Sequence, residues 1–449
     1  MRDRFPWLLT LAYAALFALL GAIRYNAHRN LVDFGIFAQT AASAFGCFCN
    51  PIEGSHWAFH FSPILYLAGA VVAVWHSPLA LITLQSLACA LVIPPVYALV
   101  VGRAGKTIAR WSAIIVFLYP ALAGLAFVDF HENAFAPVAI AWMLWAFDSG
   151  RVVLAAVFAL LAIGVKEDQA IFVGIAAAVG AWRFRGTRPG RVAIGIAIVA
   201  ALAVVVFFHD IQPHHVANPH WSPERFYAWS VDDVRRLFPL GLLQRLGFLL
   251  LILAPLGFLP MRSRFMWLAL PPLAEVLLSR MSTTFTLGTH YAGAWLGYVI
   301  VAFAFAVRTL PPQRALRWLW ACTALCVLEL LIANPLHPGL NLRARQPRDA
   351  ALDAVLATLP PGASIATQEE AYTHLALDDP NASLLPENPS AVEDACYVLI
   401  DRDFPDSPRL QEYGAALSEL VAERKYALVK ASGGVELYRS SSSCKAPAT

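Results

Sequence analysis

The chain has 449 residues, of which 59% are hydrophobic and only 14% are charged. Soluble domains are roughly half apolar and about one quarter charged, so a soluble multidomain enzyme is excluded. Intrinsic disorder is excluded as well, because this much apolar surface must be buried. The net charge of +3 combines two unlike parts: residues 1–333 carry 23 basic and 14 acidic residues, whereas 334–449 carry 10 basic and 16 acidic residues. The composition therefore predicts a transmembrane domain over 1–333 and a soluble domain over 334–449.

Apolar runs long enough to cross a bilayer, about 17–25 residues, recur throughout the first part. We expect an α-helical polytopic membrane domain of about eleven transmembrane helices. They are predicted near residues 6–23, 78–101, 111–127, 134–147, 152–165, 169–182, 192–208, 241–259, 265–281, 290–307 and 318–333. The apolar segment 63–76 is shorter, and it is either a twelfth span or a helix lying at the membrane interface.

The distribution of basic residues indicates the orientation. If segment 63–76 does not cross and the N-terminus is cytoplasmic, 15 basic residues fall in inner loops and 8 on the outer side. Basic residues concentrate on the cytoplasmic side of membrane proteins, so this orientation is favoured. The chain is then an integral protein of the bacterial inner membrane with an extracytoplasmic C-terminal domain. All 12 histidines fall on the outer side, as do most acidic residues of the first part, so the chemistry is expected on that face.

The first outer segment, residues 24–62, contains the first candidate for chemistry. Asp33 lies on a predicted amphipathic helix over 30–45, close to a span, where a carboxylate costs free energy unless it is paired or used. It either performs chemistry or caps the helix and pairs with Arg29. The segment ends with His56 and His60, which share a helical face and could bind a metal, but no glutamate completes a metalloprotease motif.

A second candidate is the outer turn VDFHENAFAP. Asp129, His131 and Glu132 fall within four positions, and the two acids share a face if the turn is helical. Such a group can position a divalent cation, a pyrophosphate through that cation, or an acceptor hydroxyl. The alternative is a polar turn that caps the next helix. We favour function, because a turn does not need three ionisable residues. No motif demands a cofactor; if a divalent cation binds, these three residues are its expected ligands.

A third candidate is Lys166-Glu167-Asp168, between two short spans. The lysine either extends to the membrane surface or binds a phosphate as a point charge, and the following acids indicate an ion-paired cluster. Arg280, in a later outer loop, is a second candidate for phosphate binding. The long outer loop 209–240 is rich in histidine and aromatic residues, which fits either a lid that contacts carbohydrate or a plain interfacial belt.

The sequence contains no phosphate-binding glycine loop, no dinucleotide fingerprint and no GxSxG nucleophile elbow. Nucleic acid is not an expected partner. The seven cysteines lack metal-site spacing, since Cys47 and Cys49 form only C-x-C. Cys396 and Cys444 both lie in the tail and could pair in an oxidising compartment.

The tail has the pattern of a small α/β domain. Its predicted elements are helices near 348–358, 369–377 and 408–424, strands near 363–367 and 395–401, and a hairpin about residues 432–434. We find no catalytic motif in it, and its expected role is to contact the acceptor or to cover the outer face.

Five motifs together resemble a family of predicted bacterial and archaeal membrane proteins, domain of unknown function 2079. They are D-F-G-I-F-A-Q at 33–39, H-F-S-P at 60–63, D-F-H-E-N-A-F-A-P at 129–137, K-E-D at 166–168 and H-Y at 290–291. The tail segment P-P-G-A-S-I-A-T-Q is also similar to that family's soluble end, so the resemblance covers nearly the whole chain.

That family is similar in turn to the C-type (GT-C) membrane glycosyltransferases, which use polyprenyl-phosphate-linked sugars at the outer face. Those enzymes carry a catalytic aspartate after the first helix and a second acidic motif in the next outer loop, and Asp33 and Asp129 occupy these places. The resemblance implies a sugar transferred from a polyprenyl phosphate to an unidentified acceptor. The catalytic residues expected from it are Asp33, Asp129, His131 and Glu132. The expected substrate-binding residues are Gln39, His60, Lys166, Glu167, Asp168, Arg280, His290 and Tyr291.

Two other functions are compatible with the composition. A transporter or flippase would place its polar groups near the membrane midplane, often on inverted repeats, whereas here they lie at span ends and no repeat is visible. A membrane scaffold that displays the tail would leave the acids in the short turns unexplained.

Overall fold

The computed structural model describes residues 3–216, 230–237, 241–386, 395–403, 410–441 and 444. Contacts divide the chain into two compact units. The membrane unit comprises Met1–Leu19, Trp57–Leu65 and Ile82–His337. The tail unit comprises Leu20–His56, Tyr66–Leu81 and Pro338–Thr449. Most of the first outer segment therefore groups with the C-terminal residues, and a domain boundary at residue 334 stays a prediction.

Helices dominate the described residues before the tail. They are α1 (Phe5–Asn26), α2 (Val32–Ala42), α3 (Leu65–Val74), α4 (Pro78–Ala90), α5 (Ile93–Leu118), α6 (Pro120–Phe127), α7 (Ala136–Asp148), α8 (Val152–Ile163), α9 (Glu167–Arg183), α10 (Arg188–Val206), α11 (Gln212–His215), α12 (Val231–Leu237), α13 (Leu242–Leu253), α14 (Leu270–Leu278), α15 (Ala292–Val307) and α16 (Pro312–Ile332). Short 3-10 turns at His56–Ala58, Glu132–Phe135, Ala254–Leu256, Leu259–Arg262, Arg264–Ala269 and Ser282–Phe285 and a π-turn at Phe207–Ile211 join them.

Proline and glycine set several of these helix boundaries. Pro78, Pro120 and Pro312 each begin a helix, where the missing N–H costs nothing and the fixed φ suits the first turn. Inside α5, Gly105 adopts φ 82° and ψ 170°, a conformation open to glycine and strained for other residues. This kink lies between the predicted spans 78–101 and 111–127, where the sequence indicates a turn.

Within the part of the chain that the structure describes, four helical segments are long and apolar enough to cross a membrane alone. They are Phe5–Asn26, Pro78–Leu118, Arg188–His215 and Pro312–Ile332, and the bent pair Val231–Leu237 and Leu242–Leu256 would make a fifth. The expected total of about eleven spans stays a prediction. Helix α3 has 10 residues, which extend about 15 Å, whereas the apolar core of a bilayer is about 30 Å thick. It is therefore too short to cross alone.

The helices of the membrane unit differ in what they expose. Helix α10 presents Ile194, Ile198, Leu202 and Val205 outward, each at least 49% exposed, and this helical stripe is the expected surface for lipid contact. In contrast, all residues of α15 are buried. Helix α15 thus forms the core of this unit, and the elements packed against it can hold polar groups away from lipid.

The tail unit contains a mixed five-stranded sheet in the order β4-β3-β5-β7-β6. Its described elements are β1 (Cys49–Asn50), β2 (Gly54–Ser55), α17 (Pro338–Asn341), α18 (Pro347–Leu356), β3 (Ile365–Thr367), α19 (Glu369–Leu375), β4 (Ala382–Leu384), β5 (Tyr397–Asp401), α20 (Leu410–Ala422), β6 (Tyr426–Ser432) and β7 (Val435–Ser440). Strand β3 runs parallel to β4 and β5, and β7 runs antiparallel to β5 and β6. The predicted helices, strands and hairpin of the tail are confirmed, and β4 is an additional strand.

Two disulfides lie in the tail unit. Cys396 pairs with Cys444, as the sequence suggested, and Cys47 pairs with Cys49. Among the described residues, Cys89, Cys322 and Cys326 are free and buried.

Helix α2 forms where the sequence predicts one, but it is not amphipathic in its environment. Residues 34–41 are all buried, and Gly35 lies against the ring of Tyr372, so that a Cβ at this position would come within 2.2 Å of the ring. Gln39 accepts a hydrogen bond from the Tyr372 hydroxyl at 2.6 Å. Its amide donates to the carbonyls of Asp379 and Ala382 at 3.0 and 2.9 Å. Helix α2 is thus a buried element of the tail unit, because its face is covered by α19.

Candidate functional site

The DFHEN turn between α6 and α7 is held in place by one amide side chain. Gln85, on α4, donates from Nε2 to the carbonyls of Val128 at 2.7 Å and Leu125 at 3.2 Å, and more weakly to that of Asp129 at 3.4 Å. Its Oε1 accepts from the backbone N–H of His131 at 2.9 Å. Both amide atoms of a buried glutamine are therefore used to fix the path of the turn.

This turn presents His131 and Glu132 to the interior of the membrane unit. His131 Nδ1 lies 2.7 Å from Glu132 Oε2, and Glu132 is completely buried. Nδ1 accepts a hydrogen bond from the N–H of Asn133 at 3.4 Å, so the carboxylate lies beside a ring nitrogen that already has a backbone donor. The ring of His290 stacks on that of His131 with centroids 3.7 Å apart. The sequence motifs at 129–137 and 290–291 thus meet.

The close approach of α15 makes this arrangement possible. A Cβ on Gly293 would lie 2.2 Å from the backbone oxygen of Asn133, and one on Gly297 would lie 2.9 Å from Pro137. Only glycine fits at these positions without displacing the turn. The two glycines are one helical turn apart, so they form a smooth face on which the start of α7 rests.

The K-E-D motif joins the H-F-S-P motif in the same unit. Lys166 precedes α9 in an extended conformation, and Glu167 begins the helix. Glu167 Oε1 lies 3.0 Å from His60 Nδ1, and its Oε2 accepts from the N–H of Phe61 at 2.9 Å. Ile64 donates to the Gly164 carbonyl at 2.8 Å. The segment after residue 59 is therefore fixed along the start of α9 by both side-chain and backbone bonds.

Electrostatic interactions connect these pairs into one cluster. The pKa of Glu132 is lowered: burial opposes ionisation, but His131, Lys166 and His60 outweigh it. The pKa of Glu167 is lowered in the same way, with His60 and Lys166 outweighing burial. Two of the three carboxylates are therefore ionised at neutral pH, each beside an imidazole.

Asp168 behaves differently from its neighbours. Burial raises its pKa to about 7, and the charges of Glu167 and Glu132 add to this effect, while Lys166 opposes it. Tyr298 of α15, which is 1% exposed, interacts with its charge. A carboxyl group that titrates near neutrality can exchange a proton under physiological conditions, so Asp168 is the group of this cluster suited to proton transfer.

The remaining predicted site residues lie elsewhere in the two units. Asp129 is buried in the membrane unit, and Arg280 forms an ion pair with Asp233 at 3.0 Å. The ring of Tyr291 lies 4.0 Å from that of His290. Within the described residues, Asp129, His131 and Glu132 do not bring three ligand atoms within 4.8 Å of one another. Their role as ligands of a divalent cation stays a prediction.

Asp33 and Gln39 belong to the tail unit. Asp33 lies partly buried in the first turn of α2. Glu369, which begins α19, interacts with it: burial raises the pKa of Glu369, and the charge of Asp33 adds to this rise. Asp33 thus has a second carboxyl group as a neighbour, which the sequence did not indicate. The amide of Gln39 is occupied by the three bonds that hold α2 against the tail.

Sequence reasoning also missed Gln85 and Gln169. Gln169 is fully buried and donates to the Ala294 carbonyl at 3.3 Å, which ties α9 to α15. The only signal for either residue was the amide itself. A polar side chain within or beside an apolar span is costly unless it forms hydrogen bonds.

Comparisons with known proteins agree with this architecture. The family model described as "Predicted membrane protein (DUF2079)" matches residues 28–437. The structure of ArnT from Cupriavidus metallidurans bound to undecaprenyl phosphate has a TM-score of 0.59 at 13% identity and covers 98% of this chain and 99% of that one. The mycobacterial arabinofuranosyltransferase AftD has a TM-score of 0.54 at 16% identity, covering 98% of this chain and 40% of that one. No curated protein matches the sequence. At these identities the similarity is one of fold.

Proposed function

The chain belongs to the DUF2079 family of predicted membrane proteins, and we propose that it is a membrane glycosyltransferase. It would move a sugar from a polyprenyl-phosphate donor to an acceptor at the outer face of the cytoplasmic membrane. Its fold resembles that of C-type glycosyltransferases. ArnT was solved with undecaprenyl phosphate, and AftD is named as an arabinofuranosyltransferase. Fold alone does not determine function, so the proposal depends on the site.

The observation that carries the proposal is the meeting of distant motifs in the membrane unit. His60, His131, Lys166 and His290 are far apart in sequence, yet all take part in the cluster built around Glu132 and Glu167. Buried ionisable groups are costly in a membrane protein and mark functional sites by default. A scaffold would not need this cluster.

The donor chemistry requires a group that stabilises the leaving phosphate. In the proposed reaction the bond between the anomeric carbon and the phosphate oxygen breaks, and polyprenyl phosphate leaves with the bonding electrons. Lys166 is 9% exposed and lies immediately before α9. An ammonium group in a site with little water stabilises a developing phosphate charge strongly. Lys166 is thus the proposed phosphate ligand, with Arg280 as a second one.

The acceptor hydroxyl must lose its proton as it forms the new bond to the anomeric carbon. We assign this role to Asp33, as the general base or the group that orients the acceptor. Glu132 and Glu167 would hold the rings of His131 and His60 in place near the phosphate. Asp168 would exchange protons with the cluster during turnover.

The test compares lipid-linked sugars and surface glycans in a deletion strain that expresses single variants. Asp33→Asn, Glu132→Gln and Lys166→Met should each fail to restore the wild-type glycan pattern. Asp210→Asn is the matched control, because the Asp210 side chain is 59% exposed and its ion pair is with His209, which is exposed as well. Equal glycan levels in all four variants, at equal protein abundance, would refute the assignment.

A further inference from the structure

A separate group of metal-binding side chains lies within the tail unit. His28 follows α1, Asp353 lies on α18, and His374 lies on α19. Each offers one ligand atom, and these atoms all lie within 4.8 Å of one another. His28 Nε2 is 2.9 Å from Asp353 Oδ1, and the rings of His28 and His374 have centroids 3.9 Å apart. None of these residues has a role in the proposed transfer reaction.

We propose that His28, Asp353 and His374 bind a zinc ion, with water as the fourth ligand. Zinc is bound by histidine nitrogen and carboxylate oxygen at about 2.0–2.2 Å in tetrahedral geometry. Two ligand atoms on such an ion are therefore roughly 3.3 Å apart. The observed separations, from 2.9 Å to less than 4.8 Å, bracket this value. To bind one ion, the stacked rings of His28 and His374 must turn so that a lone pair of each points at it.

A hydrogen bond to the backbone leaves one ring nitrogen of His374 available for a metal ion. His374 Nε2 lies 3.1 Å from the Tyr25 carbonyl, so the proton sits on Nε2 and leaves a lone pair on Nδ1. Histidine ligands commonly donate their second N–H to a carbonyl in this way.

The backbone of His28 has an uncommon conformation. It has φ 50°, a left-handed conformation that is uncommon for residues other than glycine. Such conformations persist where the surrounding structure requires them, often at ligand sites. His28 is only 1% exposed, whereas the Asp353 side chain is 40% exposed. Solvent therefore reaches the third ligand, which provides a route for the ion and a position for the water.

A substitution at Arg345 distinguishes a metal site from three side chains that are held together only by hydrogen bonds. Its guanidinium contacts the other carboxylate oxygen of Asp353 and orients Oδ1 toward His28. Because it also repels a nearby cation, Arg345→Gln should tighten zinc binding. If the cluster were only hydrogen-bonded, the same change would remove a contact and no variant would affect metal content.

The experiment measures zinc in the purified full-length chain, without a histidine tag, after chelator treatment and reloading with zinc chloride. Wild type should retain about one ion per chain, and the ion should raise the thermal unfolding temperature. His28→Ala, His374→Ala and Asp353→Asn should lose the ion. His76→Ala is the matched control, because His76 also pairs with a carboxylate, Asp378, at 2.8 Å, but lies outside the three-residue group.

Absence of bound zinc in the wild type, or retention of zinc by both His28→Ala and His374→Ala, would overturn the proposal. If a histidine variant does not fold, Asp353→Asn decides the question, because it is isosteric and lies at a partly exposed position. Cobalt(II) loaded into the wild type gives a second measurement. A visible spectrum typical of tetrahedral nitrogen and oxygen ligands supports the site, and a spectrum of free aqueous cobalt contradicts it.

Discussion

Replacing Gln85 with leucine removes the side chain that holds the DFHEN turn. The change leaves the Val128 carbonyl and the His131 N–H, which Gln85 binds at 2.7 and 2.9 Å, without their partner. An unsatisfied buried donor or acceptor costs about 1–3 kcal/mol. Two such groups give about 2–6 kcal/mol, so we expect Gln85→Leu to lower the free energy of unfolding by about 4 kcal/mol. Leucine has a similar volume, so little of this loss comes from a cavity.

The Gln85→Glu variant tests the two hydrogen bonds separately, because it keeps one and loses the other. The carboxylate can still accept from the His131 N–H, but it cannot donate to the Val128 carbonyl, which it would repel if ionised. Because one hydrogen bond still holds the turn, Gln85→Glu should keep part of the transfer activity. Gln85→Leu, which has neither bond, should have the lowest activity of the three proteins. This ordering distinguishes a positioning role from a general effect of polarity in an apolar helix.

The assay is denaturant unfolding in mixed micelles, followed by tryptophan fluorescence, together with transfer activity at a temperature where each variant is folded. Gln244→Leu, at an exposed glutamine on α13, controls for the loss of an amide and should resemble the wild type. If Gln85→Leu unfolds with the same free energy as Gln244→Leu and keeps full activity, the amide does not position the turn.

Two further changes test the electrostatics and the crosslinks. The transfer rate of the wild type should show an ionisation near pH 7, where Asp168 titrates, and Asp168→Asn should lack it. Because the raised pKa favours the protonated folded form, the stability that Asp168 contributes, measured as the difference between wild type and Asp168→Asn, should fall as the pH rises from about 4 to about 7. A pH-independent difference between the two proteins would contradict this. Removing the disulfide between Cys396 and Cys444, which are 48 positions apart, should cost about 4 kcal/mol in chemical unfolding. Removing the one between Cys47 and Cys49, which are 2 positions apart, should cost about 1.6 kcal/mol, and equal losses would show that loop closure is not the cause.

The secondary structure of the tail could be predicted because its signals are local. A short continuous run of apolar residues predicts strand β5 (Tyr397–Asp401), and the glycines after Ser432 predict the hairpin turn, where Gly433 has φ 56°. Strand β4 was missed because it has only three residues. Its existence depends on pairing with β3, which a local pattern does not reveal.

The sequence predicted which acidic residues belong to the candidate site, but not which imidazole each of them contacts. The charge distribution and the motifs of the sequence single out Glu132, Glu167 and Asp168. Which imidazole each acid contacts depends on packing between helices distant in sequence, as in the His60–Glu167 pair. The difference between Asp168 and Glu167, adjacent residues of the same charge, depends on burial and neighbours that only the fold supplies.

Residues in apolar helices were harder to interpret. Gln85 lies inside a predicted span, and its four bonds all go to backbone atoms, which no side-chain motif reveals. Gln39 is predicted to bind substrate because it belongs to a motif, whereas its amide is engaged by the tail. A motif alone does not distinguish residues that bind a ligand from residues that hold an element in place, and substrate binding by Gln39 stays a prediction.

The most direct test of glycosyl transfer uses the purified chain in vesicles with a panel of polyprenyl-phosphate sugars labelled in the sugar. Wild type and Asp210→Asn should release polyprenyl phosphate and transfer the label from one donor of the panel to an added hydroxyl acceptor or to water. Asp33→Asn and Glu132→Gln should not. If the labelled donor instead crosses the bilayer intact, or if both variants turn over at the wild-type rate, the chain is not a glycosyltransferase that works through these residues.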